Sequence, residues 1–558
     1  MSAVLGLSGY FHDSAAALVV DGQLVAAAQE ERFSRRKNDA SFPMRAARSC
    51  LDQAGLGLGD LTSVVWHEKP LMKLERVLLT SLRTWPRSAT TFRRAMVSMF
   101  GDKLWVKGHI VDHLGIDPGK VRFSDHHASH AASAFLCSPF EEAAVLCVDG
   151  VGEWATTTRW KAGPDGLTHL GEQHFPHSLG LLYSVFTAYL GFRVNEGEYK
   201  VMGLAAFGEP KYREAVDKVF KLHDDGSFEL DMDYFCFHRE PDRSYTQKFV
   251  DLLGPAREPR GPMEQRHKDI AASVQQVCEE TLLLLAKRLH EETGASRLCL
   301  AGGVALNSVA IGRILREGPY DDVFVQPAAG DAGSALGAAL LGADAPRQPL
   351  DRPGWGAPID VDKTRAYLQD GGIQHTDHGE DGIAEEVARR LAEGEVVGWM
   401  QGRFELGPRA LGHRSILCDP RKPEDKDRLN NKVKFREPFR PFAPSVLASA
   451  SPELFDLPAG GGWTRRFMTS TAPVKGDPIP AATHVDGTAR LQEVHPESQP
   501  LYAAMLEAFG RHSGVPCVVN TSFNLAGEPI VNTPADGYGT FLRCGMDALA
   551  IGPFLVTR

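Results

Sequence analysis

The feature that most restricts the fold is a unit that occurs twice. Val4 to Leu7 is a short apolar strand running into Ser8-Gly9-Tyr10-Phe11-His12-Asp13. A second strand follows from Ala15 to Val20, then the turn Asp21-Gly22 and a third strand from Gln23 to Gln29. A helix is expected from Pro43 to Ala54. The same order returns at Ala144 to Val148, which ends at Asp149-Gly150-Val151-Gly152-Glu153. A Thr-rich strand from Trp154 to Trp160, a turn at Gly163 to Gly166 and another strand complete it. A strand, a small-residue loop and a hairpin, used twice, predict two related sheets around a shared cleft. At 558 residues the chain is too long for one core, and about two to four domains are expected.

Composition narrows the function classes. The chain is 43% hydrophobic and 24% charged, as in globular proteins. Its net charge of −10 argues against bulk nucleic-acid binding. The nine cysteines form no CxxC pair, so neither a zinc ribbon nor a disulfide framework is expected. The N-terminus lacks a basic segment ahead of its apolar run, and no stretch of about 18 apolar residues occurs. A cytoplasmic location, with neither a membrane nor a nucleic-acid partner, is the expectation.

Between the two copies lies Asp125-His126-His127-Ala128-Ser129-His130, continuing into an alanine-rich helix. His126 and His130 stand at i and i+4 on one face, a spacing that lets two imidazoles share a metal. His127 points elsewhere. Asp149 and Asp331 each follow an apolar strand inside a glycine-rich turn. Two His and two Asp form a mixed nitrogen and oxygen set that suits iron, manganese or zinc. Further on, the strand Arg297 to Leu300 leads through Gly302 and Gly303 to Asn307 and a helix, a natural phosphate or nucleotide cradle without the Walker pattern. Lys200 and Gly203 lie in another polar, glycine-rich loop, Gly191 to Gly208. For each of these loops an ordinary surface turn is the competing interpretation.

Residues 342–360 carry four prolines and are expected to link a first domain, 1–341, to a second, 361–558. The second opens with a helix, Asp381 to Glu393, and a strand, Val396 to Met400. These deliver QGRFELGPRALGHRSILCDP, with Arg403, Arg409, Arg414 and Ser415 set among glycines. A helix from Glu424 to Val433 carries the next basic cluster, NKVKFREPFRPFAP, with Lys432, Lys434, Arg436 and Arg440. Ser451 to Ile479 reads as irregular. A short strand at Thr488 to Gln492 contains Arg490. A buried strand from Val515 to Val519 presents Asn520, Ser522 and Asn524, and a last helix and strand close the chain. Arginine forks and close-approaching glycine backbone suit an anionic substrate rich in phosphate or carboxylate oxygens.

The duplicated unit has the layout of actin-like phosphotransferase folds. Taken together, GYFHDSAAALVVDG, EERFSR, DHHASHAASAF, VDGVGEW, EGEYKVMGLAAFG, AGGVALN, AAGDAGSALGAA, QGRFELGPRALGHRSI, KFREPFRPFAP and NTSFNLAGEPIV resemble the NodU/CmcH family of O-carbamoyltransferases along nearly the whole chain. The resemblance implies an α/β protein with an N-terminal actin-like domain, similar to threonylcarbamoyl transferases, and a C-terminal YrdC-like domain. It implies that ATP and carbamoyl phosphate are joined into carbamoyl adenylate, with Mg2+ accompanying ATP. The carbamoyl group then passes to a hydroxyl of a small-molecule acceptor, such as an antibiotic, macrolide or sugar, with release of AMP. The family's metal ligands match His126, His130, Asp149 and Asp331, with Fe2+ the expected ion and Mn2+ or Zn2+ the alternatives. His12, beside Asp13, matches the family's catalytic histidine. Contacts to the donor and nucleotide fall on Arg409, Lys434, Arg440, Arg490, Ser522 and Asn524, with Lys432 the alternative to Lys434. Whether a homodimer forms stays open.

Three rival classes share parts of this pattern. A tRNA-modifying threonylcarbamoyl transferase is opposed by the acidic balance and the lack of a basic tail. A hydrogenase-maturation carbamoyltransferase is opposed by the missing CxxC motifs. A non-catalytic nucleotide sensor is opposed by the intact His, Asp and Arg sets. The acceptor itself is not legible. The segment His67 to Ile110 is basic and partly amphipathic, and is the candidate for a lid on the acceptor side, with a plain helical insertion as its alternative.

Overall fold

The computed structural model describes residues 1–558. Its first half is built on two five-stranded sheets. The first contains β1 (Ala3–Ser8), β2 (Ala15–Val20), β3 (Gln23–Gln29), β4 (Ser63–Trp66) and β5 (Val121–Phe123), in the order β3-β2-β1-β4-β5. β2 pairs antiparallel with β1 and β3, while β4 runs parallel to β1 and β5. The second sheet contains β6 (Ala143–Val148), β7 (Ala155–Gly163), β8 (Gly166–His174) and the strands Arg297–Ala301 and Asp322–Val325. Its order, and the direction of every pairing, repeat those of the first. The duplication read from the strand pattern is therefore a repeat of topology as well as of sequence layout.

Helix Asp331–Gly342 lies on β1 and against helix His126–Phe135. Both contacts depend on glycine. A Cβ added at Gly337 would come within 1.8 Å of the Ser129 carbonyl, and one at Gly6 within 2.0 Å of the Ala335 carbonyl. Helix His126–Phe135 begins where expected: the Asp125 side chain accepts from the Ala128 N–H at 3.1 Å. The long amphipathic helix runs Gln265–Thr293. Its Ile270, Val274, Val277 and Leu289 are buried in the core beneath the second sheet.

The second half is organised on an eight-stranded mixed sheet. Its centre is strand Val397–Met400 beside Arg414–Cys418, followed by Cys517–Ser522 and Ala443–Leu447. Local structure departs from expectation in several places. Residues 354–358 of the proline-rich stretch form a strand paired with Arg403–Glu405. The expected helix Glu424 to Val433 stops at Arg428 and continues as a wider turn, Leu429–Lys434, ended by Phe435 at φ 47°. The expected strand at Thr488 to Gln492 breaks around Arg490 into Thr488–Ala489 and Gln492–Val494. Short helices, Ser451–Leu454 and Gly462–Arg466, occupy part of the stretch read as irregular. The final apolar run is a hairpin, Ala548–Ile551 and Phe554–Thr557, rather than one strand.

Guanidinium groups stitch the halves together. Arg32 donates to the Gly407 carbonyl at 2.7 Å, and Arg35 to those of Ile530 at 2.6 Å and Pro529 at 3.0 Å. Arg403 returns a bond to the Val25 carbonyl at 3.1 Å. Gly337→Ala is expected to lower stability by about 1–3 kcal/mol in urea unfolding, because the helix crossing has no room for a methyl group.

Candidate active site

The two small-residue loops of the duplicated unit meet. The β1–β2 loop supplies His12 and Asp13; the end of β6 supplies Asp149. Asp331 opens the helix after strand Asp322–Val325, at the C-terminal edge of the second sheet. His126 and His130 project from the first turns of their helix. The His126 and His130 Nε2 atoms are 3.1 Å apart. Asp149 Oδ2 lies 3.2 Å from His126 Nε2 and 3.8 Å from His130 Nε2. Asp331 Oδ1 lies 3.6 and 3.7 Å from the same two atoms. His127 turns away to Thr158 Oγ1 at 3.0 Å, as the helical spacing requires.

Four ligand atoms thus lie within 4.8 Å of one another around a common point. The chemistry of the set fits a divalent cation: two carboxylates and two imidazoles, little exposed, offer the mixed oxygen and nitrogen donors that such an ion takes. The same electrostatics act on each group. Burial lowers His126, but its bond to Asp149 and the charge of Asp331 push it up to about 10. Burial raises Asp149, yet His126 and His130 hold it well below the usual carboxylate range. Asp149 Oδ1 also accepts from the Gly303 N–H at 2.9 Å, which leaves Oδ2 aimed at the imidazoles. Behind this set the Glu153 carboxylate accepts the His126 N–H at 3.1 Å and the Lys69 N–H at 2.7 Å, fixing the start of the helix.

His12 stands beside this cluster, its Nδ1 3.4 Å from Asp13 and 3.8 Å from Asp331. His12 and Asp13 also line a cavity of about 560 Å³ that reaches into the second half of the chain. Gly303, Asn307 and Gly203 border it from the first half; Arg409, Lys434, Arg440, Arg490, Ser522 and Asn524 border it from the second. One chamber therefore joins the histidine–aspartate cluster to the basic loops.

The basic end is under strong mutual repulsion. Burial lowers Arg490 far below the usual guanidinium range, and Arg409, Arg436 and Arg440 lower it further. Burial brings Arg409 down to about 10 and Arg436 to about 9, with Arg440 adding to both. One carboxylate, Glu437, stands 3.6 Å from Arg440, and it is already shared with Lys200 at 2.7 Å. Lys434 is buried, and its Nζ donates to the carbonyls of Ser522 at 2.6 Å and Asn524 at 2.7 Å. Of the two lysines left open by sequence, Lys434 lines the chamber, whereas Lys432 is exposed.

Other expected contacts lie elsewhere. Arg414 is 1% exposed and outside the lining. Its guanidinium is spent on the carbonyls of Gln401, Gly402, His413 and Asn532. Lys200 also lies outside the lining, in its ion pair with Glu437. Gly302 lies behind the wall, where a Cβ would meet the Val148 carbonyl at 2.2 Å. Asn307 borders the chamber while capping the next helix through Ala310 N at 3.1 Å. Arg436, part of the basic cluster expected to meet an anion, lines the chamber, and so does Tyr199, to which the sequence points in no way. Tyr199, whose ring lies 4.8 Å beneath Arg440, carried no signal beyond its glycine-rich loop.

Two family models account for most of the chain: the carbamoyltransferase N-terminus over residues 3–340 and the carbamoyltransferase C-terminus over 388–558. The chain belongs to the carbamoyltransferase family. It is 45% identical to protein sll1178 of Synechocystis sp., over 100% of this chain and 97% of that one. It is 39% identical to nodulation protein NolNO of Sinorhizobium fredii, covering 98% of this carbamoyltransferase and 79% of NolNO. Nodulation protein NolO of Bradyrhizobium diazoefficiens is 40% identical over 78% of this chain and 79% of its own.

Removing one carboxylate of the cluster leaves three ligands and one fewer charge to balance a cation. Asp149→Ala and Asp331→Ala are each expected to reduce bound divalent metal at least about ten-fold in elemental analysis of the purified protein. Retention of full metal by either variant would remove that residue from the ligand set.

Proposed function

We propose that this carbamoyltransferase is ATP-dependent and works in two steps at the two ends of one chamber. The observation that carries the reading is the opposite electrostatic demand of those ends. Arg409, Arg436, Arg440 and Arg490 all border one end of the chamber, a set of guanidinium donors that suits an anionic ligand. The His126, His130, Asp149 and Asp331 cluster, with His12 beside it, calls for a cation.

In the first step, carbamoyl phosphate and Mg-ATP occupy the basic end. Water takes the phosphoryl group of carbamoyl phosphate, the P–O bond breaks to give inorganic phosphate and carbamate, and a carbamate oxygen then attacks the α-phosphorus of ATP. The products are carbamoyl adenylate and pyrophosphate. The arginines neutralise the charge that spreads onto the phosphoryl oxygens. Lys434 holds the Ser522–Asn524 loop against this end. Gly303 and Asn307 border the space open to the nucleotide from the opposite wall.

In the second step, an acceptor hydroxyl attacks the carbamoyl carbon and AMP leaves. A divalent ion at the four-ligand cluster, Fe2+ by the family resemblance, would supply Lewis-acid polarisation of an oxygen. His12 is placed to take the hydroxyl proton. Burial lowers its basicity, but Asp331, Asp13 and Asp149 push it up to about 9. Were a cation held by the two aspartates, less of their charge would reach His12, and its neutral ring would accept the hydroxyl proton. Under this reading residues 1–341 are the actin-like transfer domain, 342–360 the connection and 361–558 the YrdC-like adenylating domain. The acceptor class, a hydroxylated small natural product, comes with the family resemblance.

The test is pyrophosphate release from ATP by the purified protein, with and without carbamoyl phosphate. Dependence on carbamoyl phosphate is expected; its absence would overturn the adenylation step. Arg409→Ala and Arg490→Ala should each slow that release by about 10²–10³-fold. His12→Asn should leave it intact and suppress carbamoyl transfer from preformed carbamoyl adenylate. Full transfer by that variant would give His12 a purely structural role.

A further inference from the structure

The insertion between β4 and β5 stands apart from the rest of the surface. Residues 69–107 carry nine Lys and Arg against two acids, a net of +7, so the remaining residues carry −17. The insertion forms helices Pro70–Arg83 and Ala89–Ser98, then a wide turn, Met99–Lys103, that leads into the next helix. Of the fourteen large hydrophobic side chains exposed on the whole molecule, eight lie within residues 71–105. Leu71 and Leu82, three turns apart on one side of their helix, are 75% and 69% exposed. Trp85, Val97, Phe100 and Trp105, further along the insertion, are exposed as well. The Trp105 indole donates to the Phe100 carbonyl at 2.9 Å, which fixes two aromatic residues together at the surface.

The cations interleave with these groups. Arg83, Arg87, Arg93 and Lys107 are exposed, and none has an acidic partner within ion-pair distance. Arg83 follows Leu82, Arg87 stands two residues after Trp85, and Arg93 lies one helical turn before Val97. Exposed Trp, Phe and Leu beside unpaired Arg and Lys, on short helices lying along the surface, match what an interfacial helix needs. The apolar groups enter the boundary of the acyl chains while the cations meet lipid phosphates. A second copy of the chain is a poor cover, because it would set +7 against +7.

We infer that this helical insertion is a docking surface for an anionic membrane. The lack of any helix long and apolar enough to cross a bilayer is compatible with such peripheral binding. The surface adjoins the site: Lys73 and Lys103 lie 5.5 and 5.6 Å from the Phe11 ring, and Phe11 contacts His12 with ring centres 4.5 Å apart. Docking would set the His12 end of the chamber beside the lipid surface. The inference does not depend on the two-step chemistry.

The experiment is co-sedimentation of the full-length protein with vesicles of phosphatidylcholine alone and of phosphatidylcholine mixed with phosphatidylglycerol. Partition into the mixed vesicles only is expected. The triple variant Arg83→Glu, Arg87→Glu, Arg93→Glu should weaken it at least about ten-fold. Trp85→Ser with Phe100→Ser should weaken it as well, and all these positions are exposed and outside the catalytic chamber. Circular dichroism spectra and the midpoint of urea unfolding should be unchanged in every variant, showing that each is folded. No partition into mixed vesicles, or equal partition of the triple variant, would overturn the inference. So would light scattering that shows a dimer lost in that variant, since a second copy would then cover the face.

Discussion

Two carboxylates placed close together away from bulk water are the constraint on which the first half of this protein depends. Asp149 and Asp331 come from different connections of one sheet and converge on the same pair of imidazoles. Left alone they would repel, and burial would drive them to take up protons. The surroundings instead keep both ionised, through His126, His130 and the Gly303 N–H. That arrangement needs the helix of Asp331 to lie almost in contact with the backbone of the histidine helix, which Gly337 permits. Packing and charge are therefore one problem with one solution here.

The duplicated unit explains why the site falls where it does. Both copies carry a loop between the first strand and its hairpin, and the two loops face each other. One copy spends its loop on His12, the other on Asp149. The same backbone solution thus presents two different chemical groups, an imidazole in one copy and a carboxylate in the other. The second half answers with the reverse polarity. Its loops place guanidinium groups around the far end of the chamber, so the cavity has an electrostatic gradient along its length.

Much of the site was legible because it rests on short-range regularities. The i, i+4 spacing put His126 and His130 on one face, and the placement of Asp149 and Asp331 after apolar strands put both at one sheet edge. Side-chain direction in irregular backbone was not legible. Arg409 and Arg414 sit five residues apart in one glycine-rich stretch, yet the first lines the chamber and the second is consumed by four carbonyls. Lys432 and Lys434 look alike until the wide turn ending at Phe435 points one outward and one inward. The eight-stranded sheet was hidden for another reason. Its neighbours are distant in sequence, as with strand Cys517–Ser522 between Arg414–Cys418 and Ala443–Leu447, and no local pattern encodes such pairings.

The seam between the halves has a genetic asymmetry. Arg32 and Arg35 donate across it to main-chain carbonyls of Gly407, Pro529 and Ile530, and Arg35 adds an ion pair to Asp536 at 3.4 Å. A carbonyl is present whatever residue occupies positions 529 and 530, so those side chains are free of this contact, whereas Gly407 is held as glycine by its φ of 100° and by the Pro327 carbonyl 2.8 Å from where a Cβ would stand. The donating arginines have no such freedom. Substitutions at 529 and 530 are thereby uncoupled from the joint between the halves, and that edge of the chamber can vary without loosening the assembly.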